Sequence, residues 1–466
     1  MHQTEGKPPQ RVPVTPPSDT HTHGTGFPMT KLPRLADALR DVLGRTANRL
    51  ARRTGFVRRQ RKLTGAAFVQ ALVFGWLDDP EAPLSHLADT AAAVGCPVAV
   101  QSLDARFSET AAGLLRAVLE RAIGVLVCGP AVTEGLLARF DGVDLIDATV
   151  IALPDIAAAQ WPGVGGSTPA DGRAALKVEV RLGLADGAIA ASLMPGRHHD
   201  QRGPLAHVAV PPGALQVADL GYFSLERFAE IGAAGAFWLS RLRVDTVLAD
   251  AGGARLDVLA AAAQADRLGG LDVRLGVRAL PCRLVACRVP QAVAAERRRR
   301  LKRSAQKHGR TPSRSRLALC AWTVLVTNAP AERLSAAGAR ALYRARWQVE
   351  LLFKLWKSRG GLCRSRSANP WRVVCEVYAK LLAGLVAHWV TAAGLWAVAS
   401  RSAVKAWSVV SSHARHLAVC LGSRRRLCEA LGVVVGVLRA GCRVNARAGH
   451  RCTYQQLTAP AACALT

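Results

Sequence analysis

The sequence of 466 residues contains no cysteine pair with the spacing of a metal-binding motif. Its 12 cysteines are scattered, and even the closest two, Cys282 and Cys287, have no partnering cysteine or histidine pair at ligand spacing. This pattern argues against a zinc finger. The first residues also lack a charged segment followed by an apolar one. We therefore expect no secretory signal and reduced thiols in the cytoplasm.

Acidic and aromatic residues are both scarce. Only 33 Asp and Glu stand against 62 Lys and Arg, which gives a formal net charge of +29, and aromatic residues make up 5% of the chain. Because half of the chain is hydrophobic, the composition is typical of a folded protein and excludes low-complexity, collagen-like and acidic-tail classes. The charge excess predicts a polyanionic partner, either nucleic acid or, as the rival, an acidic membrane surface.

One apolar run is long enough to raise the question of a membrane. Residues 381–400 are mostly apolar, and about twenty such residues suffice to span a bilayer. His388 lies near the middle of this run. We interpret it as the buried helix of a large protein and predict no membrane association, with a basic membrane protein as the alternative.

The composition and the hydrophobic period change along the chain. Residues 1–29 are rich in Pro, Thr, Ser and Gly, which predicts a disordered tail. Residues 30–140 place apolar side chains three and four apart, as at Leu35, Leu39 and Leu43, which predicts a helical N-terminal DNA-binding domain. A basic cluster lies within it, formed by Arg52, Arg53, Arg58, Arg59, Arg61 and Lys62. We predict that this cluster contacts phosphates, and the alternative is a solvated helix face.

The middle of the chain has the period of a sheet. Short β-rich runs cover residues 144–153, 175–184, 188–194, 215–219 and 236–242, with a helical stretch at 225–231. Three strands followed by alternating helix and strand is an order found in ribonuclease-H-like folds, so we predict an α/β core over 141–244 and 331–400. A second β-like group at 273–277, 282–289 and 322–327 surrounds the basic run 297–303. It predicts an inserted β-rich subdomain over 245–330, and a helical C-terminal region follows over 401–466.

Two acidic residues lie on predicted strands of this core. Asp147 shares a strand face with Thr149 and Ile151 in an otherwise apolar run, so its charge needs a partner. Asp219 ends its strand, at the edge where open α/β sheets place their ligands. The alternatives are a carboxylate satisfied by water or backbone for Asp147 and a helix cap for Asp219, although Ser224 is the better cap.

A third acid belongs to a polar stripe on a predicted helix. Tyr343, Arg346, Glu350 and Lys357 are spaced so that they project within an arc of about 60° on a helix. Lys354 and Trp347 flank this stripe. Taken alone, the stripe is a salt-bridged solvated face. Together with the two strand acids, however, Glu350 predicts a site for two hard divalent cations, which would promote an in-line displacement at phosphorus in a nucleic-acid backbone.

These residues resemble the DDE transposases of bacterial insertion sequences, in the subgroup with the signature Tyr-x2-Arg-x3-Glu-x6-Lys. Tyr343, Arg346, Glu350 and Lys357 match this signature at every position. Residues 147–151 and 219–223 look like the family's first and second acidic motifs, and the family carries an insertion domain between the second acid and the glutamate. One departure is Ala148, where the family commonly has Ser. The resemblance covers about residues 32–400.

The resemblance implies catalysis by Asp147, Asp219 and Glu350 with two Mg²⁺ or Mn²⁺ ions. It further implies that Tyr343, Arg346 and Lys357 contact DNA phosphates and not the cations, with Lys354 beside them. Trp322 is similar in position to a family tryptophan that stacks on a flipped base, and the alternative is a core strand aromatic.

The leading hypothesis is therefore a cut-and-paste transposase in the cytoplasm, associated with the nucleoid. It would act on double-stranded DNA, both the terminal inverted repeats of its own element and the target, and would work as a homodimer because two ends are joined. The alternatives are a ribonuclease-H-like nuclease without strand transfer and a transposase-derived DNA-binding protein that has lost cleavage.

Overall fold

The computed structural model describes residues 31–59, 62–165, 173–445 and 451–459. The predicted tail at 1–29 and Arg61 of the basic cluster lie outside these residues. Within them, the predicted helices before the sheet are confirmed, and Leu35, Leu39 and Leu43 are buried on their inner face. The helices are α1 (Lys31–Arg40), α2 (Ala47–Arg53), α3 (Gly65–Asp78), α4 (Leu84–Ala93), α5 (Val100–Asp104) and α6 (Glu109–Ile123), and a π-helical stretch, Asp41–Thr46, joins the first two.

Side-chain caps fix where several of these helices begin. The Thr64 hydroxyl accepts from the Ala67 amide before α3, and the Ser108 hydroxyl accepts from the Ala111 amide before α6. Each of these bonds satisfies one amide that the helix itself leaves without a partner.

The sheet contains nine strands within the described residues. They are β1 (Val143–Leu153), β2 (Ala174–Gly183), β3 (Ile189–Pro195), β4 (Leu215–Ala218), β5 (Phe237–Arg241), β6 (Leu248–Ala249), β7 (Leu271–Leu275), β8 (Leu280–Arg288) and β9 (Trp322–Thr327). Their spatial order is β3-β2-β1-β4-β5-β9-β8-β7-β6. Three successive antiparallel strands are followed by β4, helix α7 (Leu225–Ala233) and β5, and β4 runs parallel to both β1 and β5. The α/β prediction is confirmed, and the ribonuclease-H-like assignment stays a prediction that this order supports.

The second group of strands extends the same sheet. Strand β9 pairs antiparallel with β5, so residues 245–330 continue the sheet instead of forming a separate one. This region also contains helices that the sequence analysis did not predict: α8 (Val258–Leu268), α9 (Gln291–Lys307) and α10 (Arg314–Leu319). The basic run 297–303 is helical because Arg, Leu and Lys, its only residue types, are all good helix formers. A β-rich description of this region was therefore incomplete.

The helices after the sheet close the fold against the helices before it. They are α11 (Ala336–Ala345), α12 (Trp347–Ser358), α13 (Pro370–Leu395), α14 (Ala403–Ser412), α15 (Ala414–Cys420), α16 (Arg424–Gly441) and α17 (Thr453–Thr458). Helix α13 packs against α3, α6 and α16, and α1 packs against α16. Two hydrogen bonds between Arg424 and Asp37, of 2.7 and 3.0 Å, join α16 to α1. The helices predicted as N-terminal and C-terminal parts thus share one core, and their domain limits stay predictions.

Helix α13 contains residues 381–395 of the apolar run 381–400, and the run continues past the end of the helix at Leu395. Among the described residues it is the one helix long and apolar enough to cross a membrane, but 94% of its most apolar window is buried inside the protein. His388 on this helix is also buried, with its Nε2 2.7 Å from the carbonyl oxygen of Gly187. The helix is packed as the core helix of a large protein.

Candidate active site

Parallel pairing of β1 and β4 brings the first two acids together. The last paired residues are Ile146 and Ala218. Asp147 is the next residue of β1, and Asp219 is the residue that directly follows β4. The Asp147 side chain is only 17% exposed, and its Oδ1 accepts from the Ala148 amide at 2.8 Å. Burial raises the pKa of Asp147 to about 6, and the nearby charges of Asp219 and Glu350 add to this shift, although Ala148 and Arg346 oppose it.

The third acid follows an interruption between two helices. We expected one continuous helix from Tyr343 to Lys357, but α11 ends at Ala345 and α12 begins at Trp347. Arg346 joins them with a helical backbone conformation, φ −52° and ψ −27°. Its amide bonds to the Tyr343 carbonyl, three residues back, at 3.3 Å. Because the conformation stays helical at the junction, Tyr343, Arg346 and Glu350 still face the two strand acids.

Arg346 is the group on which the three acids converge. Its Nη1 donates to Asp147 Oδ2 at 3.0 Å, its Nη2 donates to Glu350 Oε1, and its Nε lies 3.8 Å from Asp219 Oδ1. Burial lowers the pKa of Arg346, but the charges of Asp219, Glu350 and Asp147, with Tyr343, outweigh burial and raise it overall. The guanidinium therefore stays charged among three carboxylates.

Tyr343 holds the second acid. Its hydroxyl donates to Asp219 Oδ1 at 3.1 Å, and its ring centre lies 5.9 Å from the guanidinium carbon of Arg346. Burial raises the pKa of Tyr343, and the charge of Asp219 raises it further, so the hydroxyl keeps its proton and remains a donor. Tyr343 thus fixes the position of Asp219.

The two lysines of α12 have different partners. The Lys357 ammonium donates to the Val150 carbonyl at 3.1 Å, which ties α12 to β1. The Lys354 ammonium is exposed and lies 4.9 Å from the ring centre of Trp347, which is itself 47% exposed. Neither lysine pairs with a described acid. Both remain close to the acid cluster along the same helix.

The three acids supply oxygen donors suited to a hard cation. In the part of the chain that the structure describes, no three Asp, Glu, His or Cys side chains form a ready-made metal site. The reason is visible in the contacts: the three carboxylates meet on the Arg346 guanidinium instead of on one another. Asp147, Asp219 and Glu350 nevertheless place carboxylate oxygens around one cationic group, and oxygen donors of this kind suit a divalent metal.

Comparison with known proteins identifies the family. Residues 139–385, more than half of the chain, match the family described as Transposase DDE domain. This chain belongs to the DDE transposases. The transposase is 28% identical over 363 residues to that of insertion sequence element IS231F of Bacillus thuringiensis subsp. israelensis, covering 72% of this chain and 74% of the relative. It is 23% identical over 369 residues to that of IS1151 of Clostridium perfringens, covering 73% and 76%.

Trp322 of the transposase lies in the core. It is 8% exposed, begins β9 and packs in a hydrophobic cluster with Trp238 and Val326. The guanidinium carbon of Arg288 lies 4.9 Å from its ring centre. This geometry favours the core strand aromatic over the base-stacking role, which would require the ring to be uncovered.

The N-terminal basic cluster of the transposase is exposed where it is described. Arg52, Arg53, Arg58, Arg59 and Lys62 form no ion pair with any residue that the structure describes. A cleft of about 680 Å³ is lined by Asn48, Arg52, Arg58, Arg59 and Thr64 among others. These unpaired cations around an open cleft support the predicted contact with phosphates.

Three further charged residues of the transposase were missed by the sequence analysis. Lys177, Glu179 and Arg181 are buried on one face of β2. Lys177 pairs with Asp200 at 2.7 Å, Glu179 accepts from the Leu205 amide at 2.8 Å, and Arg181 pairs with Asp144 at 2.6 Å. The alternation Lys-Val-Glu-Val-Arg was a readable signal, because three charges on one face of an apolar strand each need a buried partner.

Proposed function

We propose that this transposase moves its element by cut-and-paste transposition, with Asp147, Asp219 and Glu350 as its catalytic acids. The observation that carries this assignment is the convergence of three carboxylates, from β1, the end of β4 and α12, on the single guanidinium of Arg346. The three acids are far apart in the sequence, and their convergence on one cationic group supports a role for them as ligands of a cation. Membership of the DDE transposase family supplies the reaction class, which is cleavage and transfer of DNA.

The three carboxylates are the residues that would hold Mg²⁺ or Mn²⁺. Two such ions, when bound, would stabilise the attacking and leaving oxygens of a displacement at phosphorus. The protein's own contribution is to place the acids. Tyr343 donates to Asp219, and the Ala148 amide donates to Asp147, so each strand acid is oriented by a fixed donor.

The cations around the site are assigned to DNA. Arg346, Lys354 and Lys357 lie along the helical segment that carries Glu350, and phosphates near the cleaved end are their proposed partners. The exposed N-terminal cluster, with Arg58, Arg59 and Lys62, is assigned to the terminal inverted repeats. Because transposition joins two ends, the active complex contains at least two copies of the chain, and it works on DNA in the cytoplasm.

The test uses single amide variants that preserve shape. Asp147→Asn, Asp219→Asn and Glu350→Gln are each expected to abolish cleavage of a duplex carrying the terminal repeat, while binding of that duplex stays within twofold. Asp155→Asn is the matched control, because Asp155 is exposed just beyond the end of β1 and has no ion-pair partner among the described residues. Normal cleavage by any of the three variants removes that residue from the assignment. Cleavage without joining to target DNA would indicate a nuclease that lacks strand transfer.

A further inference from the structure

Helix α9, Gln291–Lys307, has two different faces. Ala294, Leu301 and Ala305 are buried or half-buried, and Arg297 and Arg298 lie with them on the side that faces the body of the protein. The opposite side projects exposed cations within an arc of about 100°: Arg299, Arg300, Arg303 and Lys307. The helix therefore presents a ladder of positive charge to solvent.

The inner face of α9 is anchored by arginine hydrogen bonds. Arg297 donates from Nη1 to the Trp322 carbonyl at 2.9 Å and from Nη2 to the Thr323 hydroxyl at 3.2 Å. Arg298 donates from Nε to the Leu317 carbonyl at 3.1 Å. These bonds explain why two of the arginines face inward, and they fix the direction of the outer face.

The hydrogen bonds that anchor Arg297 of α9 lie at the same edge of the sheet as the catalytic acids. Strand β5 runs parallel to β4, with Ser240 beside Ala218, and β9 runs antiparallel to β5, with Leu325 beside Arg241. The beginning of β9, at Trp322, therefore lies at the same edge as Asp219, two strands away. Neighbouring strands are about 4.8 Å apart, so the Trp322 carbonyl that anchors α9 lies on the order of 10 Å to the side of Asp219. Trp322 is also three residues beyond Leu325, which adds about 10 Å along the strand direction.

A shared electrostatic neighbour supports this placement. Burial raises the pKa of Tyr343, and the positive charge of Arg241 opposes that shift. Burial also lowers the pKa of Arg297, and Arg241 lowers it further. Arg241 thus lies within electrostatic range of both the donor to Asp219 and the anchor of α9.

We propose that the outer face of α9 binds the phosphates of the transposon-end duplex next to the bond that is cleaved. The proposal rests on the proposed function, since it assigns this duplex to the acid cluster. From Arg299 to Lys307 the helix rises about 12 Å, and B-form DNA carries about one phosphate charge per 1.7 Å of its axis. That length of duplex carries about seven phosphates on its two strands together, or three to four on the strand nearest this face. Glu296 is the one acid on α9 and pairs with Arg299 and Arg300 at 2.8 and 3.0 Å. Among the four cations of the outer face, Arg303 and Lys307 are therefore the two without a described ion-pair partner.

The experiment compares two triple variants that remove the same charge. Arg299→Gln, Arg303→Gln and Lys307→Gln together remove three of the four cations of the ladder. Arg415→Gln, Arg425→Gln and Arg426→Gln remove three exposed cations near and within α16 as the control. Binding of the full chain to a terminal-repeat duplex is measured over a salt series without divalent metal. The logarithmic salt slope of the ladder variant should fall by about 3, at roughly 0.9 per lost phosphate contact, while the control keeps the wild-type slope.

Two further measurements make the outcome decisive. In a phosphate-ethylation interference experiment, the ladder variant should lose the interference at positions that flank the cleaved bond. It should keep the interference at positions inside the repeat. Glu296→Gln should have the opposite effect and steepen the slope, because it removes the competing acid. A ladder variant with the wild-type slope and footprint, or a control with an equal loss, overturns the proposal. If the wild-type chain shows no preference for a terminal repeat, the proposed function fails instead, and the slopes on random duplex still decide the role of α9.

Discussion

Arg346 satisfies three carboxylates at once because a guanidinium has a planar fork of donors. Asp147 and Glu350 take its two terminal nitrogens, and Asp219 lies beside its Nε. All three contacts are made by a side chain that is only 17% exposed. Its loss therefore leaves partly buried negative charges facing one another without a counterion.

The Arg346→Ala variant should lose stability in a pH-dependent way. Burial already raises the pKa of Asp147 above its unfolded value, and Arg346 opposes that rise. Without Arg346 the folded pKa moves further up, so the ionised carboxylate destabilises the fold at pH 7 and is relieved by protonation as the pH falls through about 6 toward 5. The melting temperature of the variant, relative to wild type, should drop more at pH 7 than at pH 5. An equal drop at both pH values would show that Arg346 acts through packing alone.

The site illustrates what residue spacing can and cannot predict. Helical geometry placed Glu350 and Arg346 on one stripe before any contact was known. Alternation placed Asp147 on a strand, and the end of a β-rich run placed Asp219. The direct pairing of Arg346 with the acids was not predicted. Residue spacing predicts which side of a helix a residue lies on, but not which residue of another element it contacts. The burial of Trp322 was left open for the same reason, since a strand aromatic looks alike in sequence whether or not its ring is covered.

At the scale of elements, the buried charged residues of β2 bind a segment that contacts the turn after Asp219. Lys177 also donates to the His198 carbonyl at 2.5 Å, and its partner Asp200 packs so closely on Gly221 that a side chain there would clash. Gln201 donates from Nε2 to the Phe223 carbonyl at 2.7 Å. Residues 198–201 therefore link β2 to the turn that follows Asp219. Arg181 bonds outside this segment, where its Nη1 donates to the Ala209 carbonyl at 3.3 Å.

Lys177 and Arg181 offer a matched pair of variants on one strand. Lys177→Met should slow cleavage about tenfold with unchanged end binding, because it releases Asp200 and with it the turn that positions Asp219. Arg181→Met removes an equally buried cation whose partner, Asp144, lies away from that turn, so it should lower the melting temperature with little effect on cleavage. The two readouts are single-turnover cleavage and thermal unfolding of the same preparations. Equal losses of cleavage in both variants would refute the proposed role of Lys177 in positioning the turn after Asp219.

The elements predicted from sequence differ in reliability for physical reasons. The strands of the core were found close to their observed limits, because alternation in β1 and continuous burial in β2 leave a strong pattern. Helix α9 was not found, since its run of arginines has no apolar stripe and only Ala294 is fully buried. The helix is held in place by the hydrogen bonds of Arg297 and Arg298, and no local sequence pattern predicts these bonds.

At the scale of the whole molecule, the helices before and after the sheet depend on each other. Leu35, Leu39 and Leu72 belong to the same continuous hydrophobic cluster as Leu385, Leu417 and Leu431. Helix α3 packs on α13 and α15, and α6 also packs on α13. The predicted DNA-binding domain at 30–140 therefore shares its core with helices that begin more than two hundred residues later.

This shared core makes a prediction about residues 30–140 alone. A fragment with these limits should fail to unfold cooperatively, because the faces that α13, α15 and α16 cover would lie in water, at a cost of about 25 cal/mol for each Å² of apolar surface. Circular dichroism on heating is the measurement, with the full chain as the reference. A cooperative transition in the fragment would show that the N-terminal helices are an independent domain.

If the fragment does not fold, recognition of the terminal repeat has to be mapped in the full chain. Substituting Arg58 and Arg59 there, at the exposed cleft, should weaken end binding while the shared core and the acid cluster remain intact.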